Sequence, residues 1–269
     1  TLVDLEKKTL EEQQRLNFEA CAEMTKHIRS LEPQGVEISV GGEIGEVGTK
    51  NSTPEELRAY MQGFLKLLPK GMKGISKVSV QTGTSHGGVV LADGSMAEVK
   101  LDFNTLKAIS AVARKEYGMS GAVQHGASTL PEDAFHKFPE VETAEVHLAT
   151  QFQNMVFDSP HLPAALKEKM YAWIKENLKE ERKKDMTDEQ FFYTARKKSL
   201  GPFKKDLMSL SQGLRDKIGE ELEEKFAFLF DQLKIKGTKT IVATYVKEAQ
   251  AKKKFSSTSA KAEHFEGDD

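Results

Sequence analysis

Two histidines, each followed by glycine, come at the ends of two alternating apolar stretches. Residues 78–88 read V-S-V-Q-T-G-T-S-H-G-G and residues 120–129 read S-G-A-V-Q-H-G-A-S-T, so His86 and His125 each follow a predicted strand. Glu43 follows a third such stretch, V-E-I-S-V. Parallel strands gather ligands at their carboxyl ends, where imidazoles and a carboxylate are normal zinc ligands. His86, His125 and Glu43 are therefore predicted to bind a divalent metal.

An anion site is predicted beside these ligands. Ser128 lies where a strand hands over to a helix, and Thr150 occupies the matching place after the next strand. Helix N-termini attract anions, so the Ser128 hydroxyl and its neighbouring N–H groups can hold a phosphate. The glycine after each histidine, Gly87 or Gly126, lets the backbone approach a bound ligand closely.

Each of these signals also has a structural interpretation. A histidine at a strand end is often only a hydrogen-bonded residue, and G-G-E-I-G-E-V-G at 41–48 is also typical of a flexible turn. Four further histidines, His27, His136, His161 and His264, are interpreted as structural or solvated. Two histidines at equivalent places in successive units strengthen the metal interpretation until it stands level with the structural alternative, and both remain open.

Composition excludes several classes of protein. The 269 residues carry a net charge of −2, without the basic footprint of a nucleic-acid-binding protein. No apolar run approaches the length that spans a bilayer, so no membrane partner is expected. The single cysteine, Cys21, cannot form an internal disulfide and suits a reducing compartment, which predicts a cytoplasmic protein.

Strands and helices alternate over the first 160 residues. Capping boxes or prolines open helices near Thr9 and Thr53, and a further helix is predicted over 104–117. The first helix is expected to bury one apolar face, consisting of Leu16, Ala20, Cys21, Met24, Ile28 and Leu31. Strands are predicted at 36–40, 75–82, 119–124 and 144–149, with Leu2 and Val3 as the end of an earlier strand. This alternation predicts an α/β fold with parallel strands, either a (β/α) barrel or a doubly wound sheet.

The remainder of the chain is helical in pattern. Residues 161–250 are interpreted as a helical extension that mediates contacts in a homo-oligomer, although 240–246 is compatible with either a strand or a helix turn. Residues 251–269 are polar and are predicted to be disordered. The three predicted regions are thus 1–160, 161–250 and 251–269.

Four segments, in order, resemble the class II, metal-dependent fructose-bisphosphate and tagatose-bisphosphate aldolases. V-E-I-S-V-G-G-E-I-G is similar to a strand that ends in E-L-G in that family, and T-S-H-G-G is similar to N-V-H-G. H-G-A-S-T resembles H-G-G-S-G, and E-V-H-L-A-T-Q-F-Q-N lies where the family has K-I-N-I-D-T-D. The order and approximate spacing hold from about residue 1 to residue 158.

The resemblance implies a TIM (β/α)8-type barrel with Zn²⁺, or another divalent cation, bound by His86 and His125, with Glu43 as an additional or alternative ligand. It implies substrate phosphate at Gly87, Gly126, Ser128 and Thr150. The implied reaction is reversible aldol cleavage of a phosphorylated ketose to dihydroxyacetone phosphate and an aldehyde, in which the metal polarises the carbonyl.

The chain departs from the family pattern at several places. The family's Asp-His pair is absent, which implies that the first barrel strands are not in this chain, and that a longer protein or a partner supplies them. His147 replaces an asparagine and could hydrogen-bond the substrate or join the metal, Ala149 replaces an aspartate, and Glu46 lies near the place of the catalytic loop carboxylate. Glu46 and His147 are the catalytic candidates. Two alternatives remain: a barrel-derived metal- or phosphate-binding scaffold without turnover, and a regulatory assembly module built on the helical C-terminus.

Overall fold

The sheet is parallel and its strands lie in chain order. The computed structural model describes residues 2–45, 48–83, 90–92, 97 and 101–246. The strands, in order β1-β2-β3-β4, are β1 (Gly41–Glu43), β2 (Lys77–Val80), β3 (Ala122–Gln124) and β4 (Glu145–Val146). All three pairings are parallel. Each strand therefore pairs with the next strand along the chain, which confirms the predicted mixed α/β architecture with a parallel sheet.

Helices connect the strands and then continue alone. Those between or beside the strands are α1 (Leu10–Leu31), α2 (Pro54–Leu67), α3 (Phe103–Tyr117) and α4 (Lys137–Glu140). Those after the last strand are α5 (Thr150–Asp158), α6 (Ala164–Asn177), α7 (Asp188–Ala195), α8 (Lys204–Met208), α9 (Gln212–Gln232) and α10 (Lys239–Tyr245). The ambiguous stretch at 240–246 is thus helical as far as Tyr245. Among the described residues, no helix combines the length and the apolar character needed to cross a membrane.

The predicted helix starts are confirmed by their hydrogen bonds. Thr9 and Thr53 each accept a bond from the backbone of the third helical residue, and the glutamate there bonds back to the threonine N–H. α3 ends at Gly118, whose φ of 65° is the left-handed conformation that glycine adopts without strain. The predicted end of this helix at Gly118 is thus confirmed.

The first strand lies further along the chain than the sequence predicts. Residues 36–40 are not in a strand, because the N–H and C=O of Ile38 bond to the side chains of Glu32 and Arg29. The strand begins at Gly41, inside the stretch predicted as a glycine-rich turn. A Cβ at Gly42 would lie 2.7 Å from the hydroxyl oxygen of Tyr60, so close packing explains this glycine. The predicted strand end at Leu2 and Val3 is also wrong, since residues 2–4 belong to no strand.

The buried face of α1 differs from the predicted one. Leu16, Met24 and Leu31 are 51%, 55% and 65% exposed, whereas the buried residues are Gln14, Asn17, Phe18, Ala22 and Thr25. The side-chain amides of Gln14 and Asn17 donate to the backbone carbonyls of Ile44 and Glu43. The polar pair thus turns α1 toward the end of β1, so that Leu16, Met24 and Leu31 face outward, whereas Cys21 and Ile28 pack against the core as predicted.

Gly63 is required by the contact between α1 and α2. A Cβ there would lie 2.3 Å from Cζ of Phe18, which is 5% exposed and packs edge-on against Tyr60. We expect Gly63→Ala to lower the free energy of unfolding by about 1–3 kcal/mol, because the ring has no room to move. Urea unfolding measures this loss.

Gly219 in α9 provides the matched control for Gly63. No atom lies within 4 Å of its built Cβ, so Gly219→Ala should stabilise the chain by about 0.5–1 kcal/mol. Equal unfolding midpoints for Gly63→Ala and the unmodified chain would contradict the packing argument.

The C-terminal helices form their own clusters and also reach the main core. Phe157, Met170 and Phe203 form one cluster, and Ile174, Phe191 and Ala195 form another. Leu229 of α9 lies in the same core as the sheet, and Phe226 stacks on Phe152 with ring centroids 4.4 Å apart. The predicted division at residue 160 stays a prediction, and the predicted tail at 251–269 lies outside the described residues.

Candidate active site at the carboxyl ends of the strands

One face of the sheet lies against the core and the other faces a cavity. On β2, Val78 and Val80 are buried against the helices, whereas Lys77 and Ser79 alternate with them and point to the opposite face. The strand register aligns Ser79 with Val123 and Val123 with Glu145. The residues two positions further on, which share that face, include His125 and His147. Alternation and register together therefore bring the two histidines to one place.

His125 and His147 lie side by side at the end of the sheet. Their ring centroids are 4.6 Å apart and their planes are inclined by 31°. Nε2 of His125 lies 3.0 Å from the hydroxyl oxygen of Ser79. Both rings line a cavity of about 490 Å³ that Glu43 also lines. Three of the predicted site residues, Glu43, His125 and His147, thus border one space.

Lys77, Glu145 and His147 form a hydrogen-bonded row across the same face of the sheet. The ammonium group of Lys77 bonds to one oxygen of Glu145, and the other oxygen lies 3.0 Å from Nε2 of His147. Burial opposes ionisation of this carboxyl, but the hydrogen bonds from Lys77 and then His147 outweigh it, so the pKa of Glu145 is below its ordinary value. Glu145 is therefore ionised at neutral pH and accepts hydrogen bonds from both neighbours.

The predicted phosphate residues lie around the turn that follows β3. Gly126 adopts a left-handed φ of 69°, and a short 3₁₀ turn at Ala127–Thr129 follows it. The Ser128 hydroxyl accepts a hydrogen bond of 3.2 Å from the backbone N–H of Ala149. Thr150 is the first residue of α5, whose N-terminus has no side-chain cap. Ser128 and Thr150 are thus brought to one end of a helix, and phosphate binding there stays a prediction.

The structure does not describe every predicted site residue. His86 and Gly87, the second histidine motif, and Glu46, the predicted loop carboxylate, lie outside the described residues. Within the described ranges, no three side chains of His, Cys, Asp or Glu are arranged to hold a metal. The metal site therefore stays a prediction.

Sequence reasoning missed three residues of the cavity face: Lys77, Ser79 and Glu145. Lys77 and Ser79 alternate with the buried Val78 and Val80 on β2, and Glu145 is in register with Val123 on the neighbouring strand. Strict alternation along the strands could therefore have identified all three. A second cavity, about 540 Å³, lies beside α5 and α9 and is lined by several carboxylates and Lys225. Its lining contains neither His125 nor His147, so the 490 Å³ cavity at the end of the sheet is the better candidate.

Comparison with known proteins identifies one family. Residues 2–229 match the family model described as fructose-bisphosphate aldolase class-II. No match is found among proteins with curated functions.

Solved structures resemble the chain only distantly. At 14% identity, a probable tagatose 6 phosphate kinase from Sinorhizobium meliloti 1021 has a TM-score of 0.50, with 91% of this chain and 65% of that chain covered. Also at 14% identity are fructuronate-tagaturonate epimerase UxaE from Cohnella laeviribosi (TM-score 0.44; 82% and 49% covered) and the YdjI aldolase from Escherichia coli K12 (TM-score 0.35; 72% and 54% covered). The first supports the fold alone, and the other two carry no argument. The chain spans less than two thirds of the length of each.

Proposed function

Because the chain belongs to the class II fructose-bisphosphate aldolase family, we propose that it takes part in the metal-dependent, reversible aldol cleavage of a ketose bisphosphate. The four parallel strands are then part of a (β/α) barrel, with the site at their carboxyl ends. The observation that carries this proposal is the meeting of His125 and His147 on the cavity at that end of the sheet.

The chemistry of the donor set suits Zn²⁺. The cavity gathers imidazoles, which zinc favours, and a protein group holds one nitrogen of each ring: Ser79 for His125 and Glu145 for His147. His125 and Glu43 are the proposed ligands among the described residues, and His86, which lies outside them, is the third. When bound, the ion polarises the substrate carbonyl as a Lewis acid.

The remaining steps fall to side chains and backbone. Ser128, Thr150 and the N–H groups near Gly87 and Gly126 are proposed to hold a substrate phosphate at the start of α5. Glu46 is proposed to take the proton from the C4 hydroxyl of the sugar as the C3–C4 bond breaks. The electron pair of that bond passes to C3 of the ketone fragment, and return of the proton from Glu46 to C3 releases dihydroxyacetone phosphate beside the aldehyde.

A second candidate is a scaffold that keeps a metal or phosphate site but has no turnover. The observation that favours it is Ala149, whose methyl group stands where the family has a carboxylate and whose N–H is already bonded to Ser128. A measurement of turnover separates the two candidates.

Cleavage tests the proposal directly. The purified chain is incubated with fructose 1,6-bisphosphate or tagatose 1,6-bisphosphate, and the release of dihydroxyacetone phosphate is followed. We expect release that a chelator abolishes and added Zn²⁺ restores, because removing the ion removes its carbonyl polarisation.

The same assay distinguishes the outcomes. Zinc bound in a defined stoichiometry without cleavage of either sugar would favour the scaffold. Cleavage that persists in the chelator would contradict the metal-dependent reaction.

A further inference from the structure

The hydrogen bonds of His147 identify the nitrogen that carries its proton. Nε2 lies 3.0 Å from Glu145 Oε2. Glu145 also accepts a hydrogen bond from the ammonium group of Lys77, and a carboxylate can only accept hydrogen bonds, so the His147 nitrogen that carries a proton here is Nε2. The lone pair of His147 is then on Nδ1. No group among the described residues bonds to that nitrogen.

Lys77 keeps the carboxylate in place. Its ammonium group bonds to the other oxygen of Glu145, and its side chain is only 20% exposed. Glu145 is therefore held between a cation on β2 and an imidazole just after β4. This arrangement gives His147 one preferred ring orientation, with Nδ1 turned away from the carboxylate.

We propose that His147 binds the divalent metal through Nδ1, beside His125, and that Glu145 is the positioning residue that orients its ring. The inference rests on the proposed function in one respect, namely that a metal binds at His125. Histidines that bind metals commonly donate their other ring N–H to a carboxylate, which fixes the tautomer and makes the ligating nitrogen more basic. In this chain His147 is the histidine, Glu145 is the carboxylate beside its Nε2, and Lys77 holds that carboxylate in place.

The neighbourhood of His147 favours coordination over a simple ion pair. His161 also lies near a carboxylate, Glu221, but at 3.9 Å. His147, in contrast, makes a close contact with Glu145 and faces a second imidazole across 4.6 Å on the same cavity. A structural ion pair has no need of a second histidine beside it. Two adjacent imidazoles, each with one nitrogen held by the protein, form part of a zinc ligand set.

Metal affinity measured without turnover tests the assignment. Isothermal titration calorimetry with Zn²⁺ on the full chain should show weaker binding by at least about 100-fold in His147→Ala and by about 10–100-fold in Glu145→Gln. His161→Ala, a histidine–carboxylate pair elsewhere in the chain, is the matched control and should leave the affinity unchanged.

A measurement on the unmodified chain removes any dependence on how the variants fold. In long-range ¹H–¹⁵N spectra, the Nδ1 resonance of His147 should shift when Zn²⁺ is added, while Nε2 keeps its proton. An ion pair without coordination would move neither resonance by more than a small amount.

The outcomes separate the two proposals. If His147→Ala binds Zn²⁺ within twofold of the unmodified chain while His125→Ala does not bind it, His147 is not a ligand and the metal-dependent function survives. If the unmodified chain binds no Zn²⁺, both proposals fail. If His147→Ala and His161→Ala weaken binding equally, the effect is general and the assignment is overturned.

Discussion

Replacing Asp158 with alanine is expected to lower the free energy of unfolding by about 3 kcal/mol, because it leaves a buried positive charge without its counter-ion. Arg196 is 6% exposed, and its guanidinium makes two hydrogen bonds to Asp158, of 2.8 and 3.0 Å. Burial would lower the pKa of Arg196, but the bonds to Asp158 outweigh it and raise the pKa, so the side chain stays charged. The loss of Asp158 therefore cannot be relieved by deprotonation.

The neighbours of Arg196 limit this cost to the low end of the range for a broken buried pair. Nη2 also bonds to Asn154 at 2.6 Å, and the rings of Phe157 and Tyr193 lie 5.2 and 4.9 Å from the guanidinium carbon. These contacts remain in the variant and stabilise the cation in part. They cannot replace a carboxylate that accepts two hydrogen bonds.

Arg196→Met is the matched variant and should cost less than Asp158→Ala. Asp158 is 56% exposed and lies 3.8 Å from Lys167, so it remains solvated and close to a cation when Arg196 is removed. A methionine also fills the apolar space between the two rings, and such replacements of a buried ion are often close to neutral. The fluorescence of Trp173, the single tryptophan, reports urea unfolding in this region because it packs against the Phe157 cluster. Equal losses in the two variants would contradict the asymmetry.

Local patterns predicted most elements, because each depends on nearby residues. The capping boxes at Thr9 and Thr53 and the glycine after α3 act over a single turn, and the structure confirms all three. The alternation of Val78 and Val80 likewise predicted β2. The strand is shorter than the predicted 75–82, because it covers only the residues that pair with β1 and β3.

The errors came from contacts between residues far apart in sequence. The apolar face of α1 was assigned from spacing, but Gln14 is buried because Ile44, thirty residues later, supplies a carbonyl for its amide. In the same way, residues 36–40 do not form the predicted strand, because the backbone of Ile38 bonds to the side chains of Arg29 and Glu32 instead of to a neighbouring strand. Buried polar groups follow their hydrogen-bond partners, and a hydrophobic pattern does not show where those partners are.

The candidate site was predictable in its location but not in its network. The sequence predicted that Glu43 and His125 follow strands and that His147 lies in the strand at 144–149, and the structure brings all three to one cavity. The link from Lys77 to Glu145 crosses two strand spacings, so it depends on register and on the reach of a long side chain. Its consequence is chemical, since it determines which nitrogen of His147 carries the proton.

Replacing His125 with alanine is expected to reduce kcat/KM for ketose bisphosphate cleavage by at least about 10³-fold. A metal that polarises the carbonyl contributes several kcal/mol to the transition state, and each 1.36 kcal/mol corresponds to a factor of ten in rate. The side chain is half-buried beside the cavity, where it contacts Ser79 and His147. The urea midpoint should therefore change little, which separates loss of the ligand from loss of the fold.

Ser79→Ala is the control that tests why His125 is required. This change removes the hydroxyl 3.0 Å from Nε2 and leaves the imidazole in the chain. If His125 acts as a ligand whose ring is oriented by Ser79, the control should lower zinc affinity and kcat/KM by about 10–100-fold, less than removal of the ring itself. If cleavage in His125→Ala matches the unmodified chain, the imidazole takes no part in the reaction. If His125 serves only to pack the fold, both variants should instead lose stability and activity together. The urea midpoint and kcat/KM would then fall in parallel in His125→Ala and Ser79→Ala.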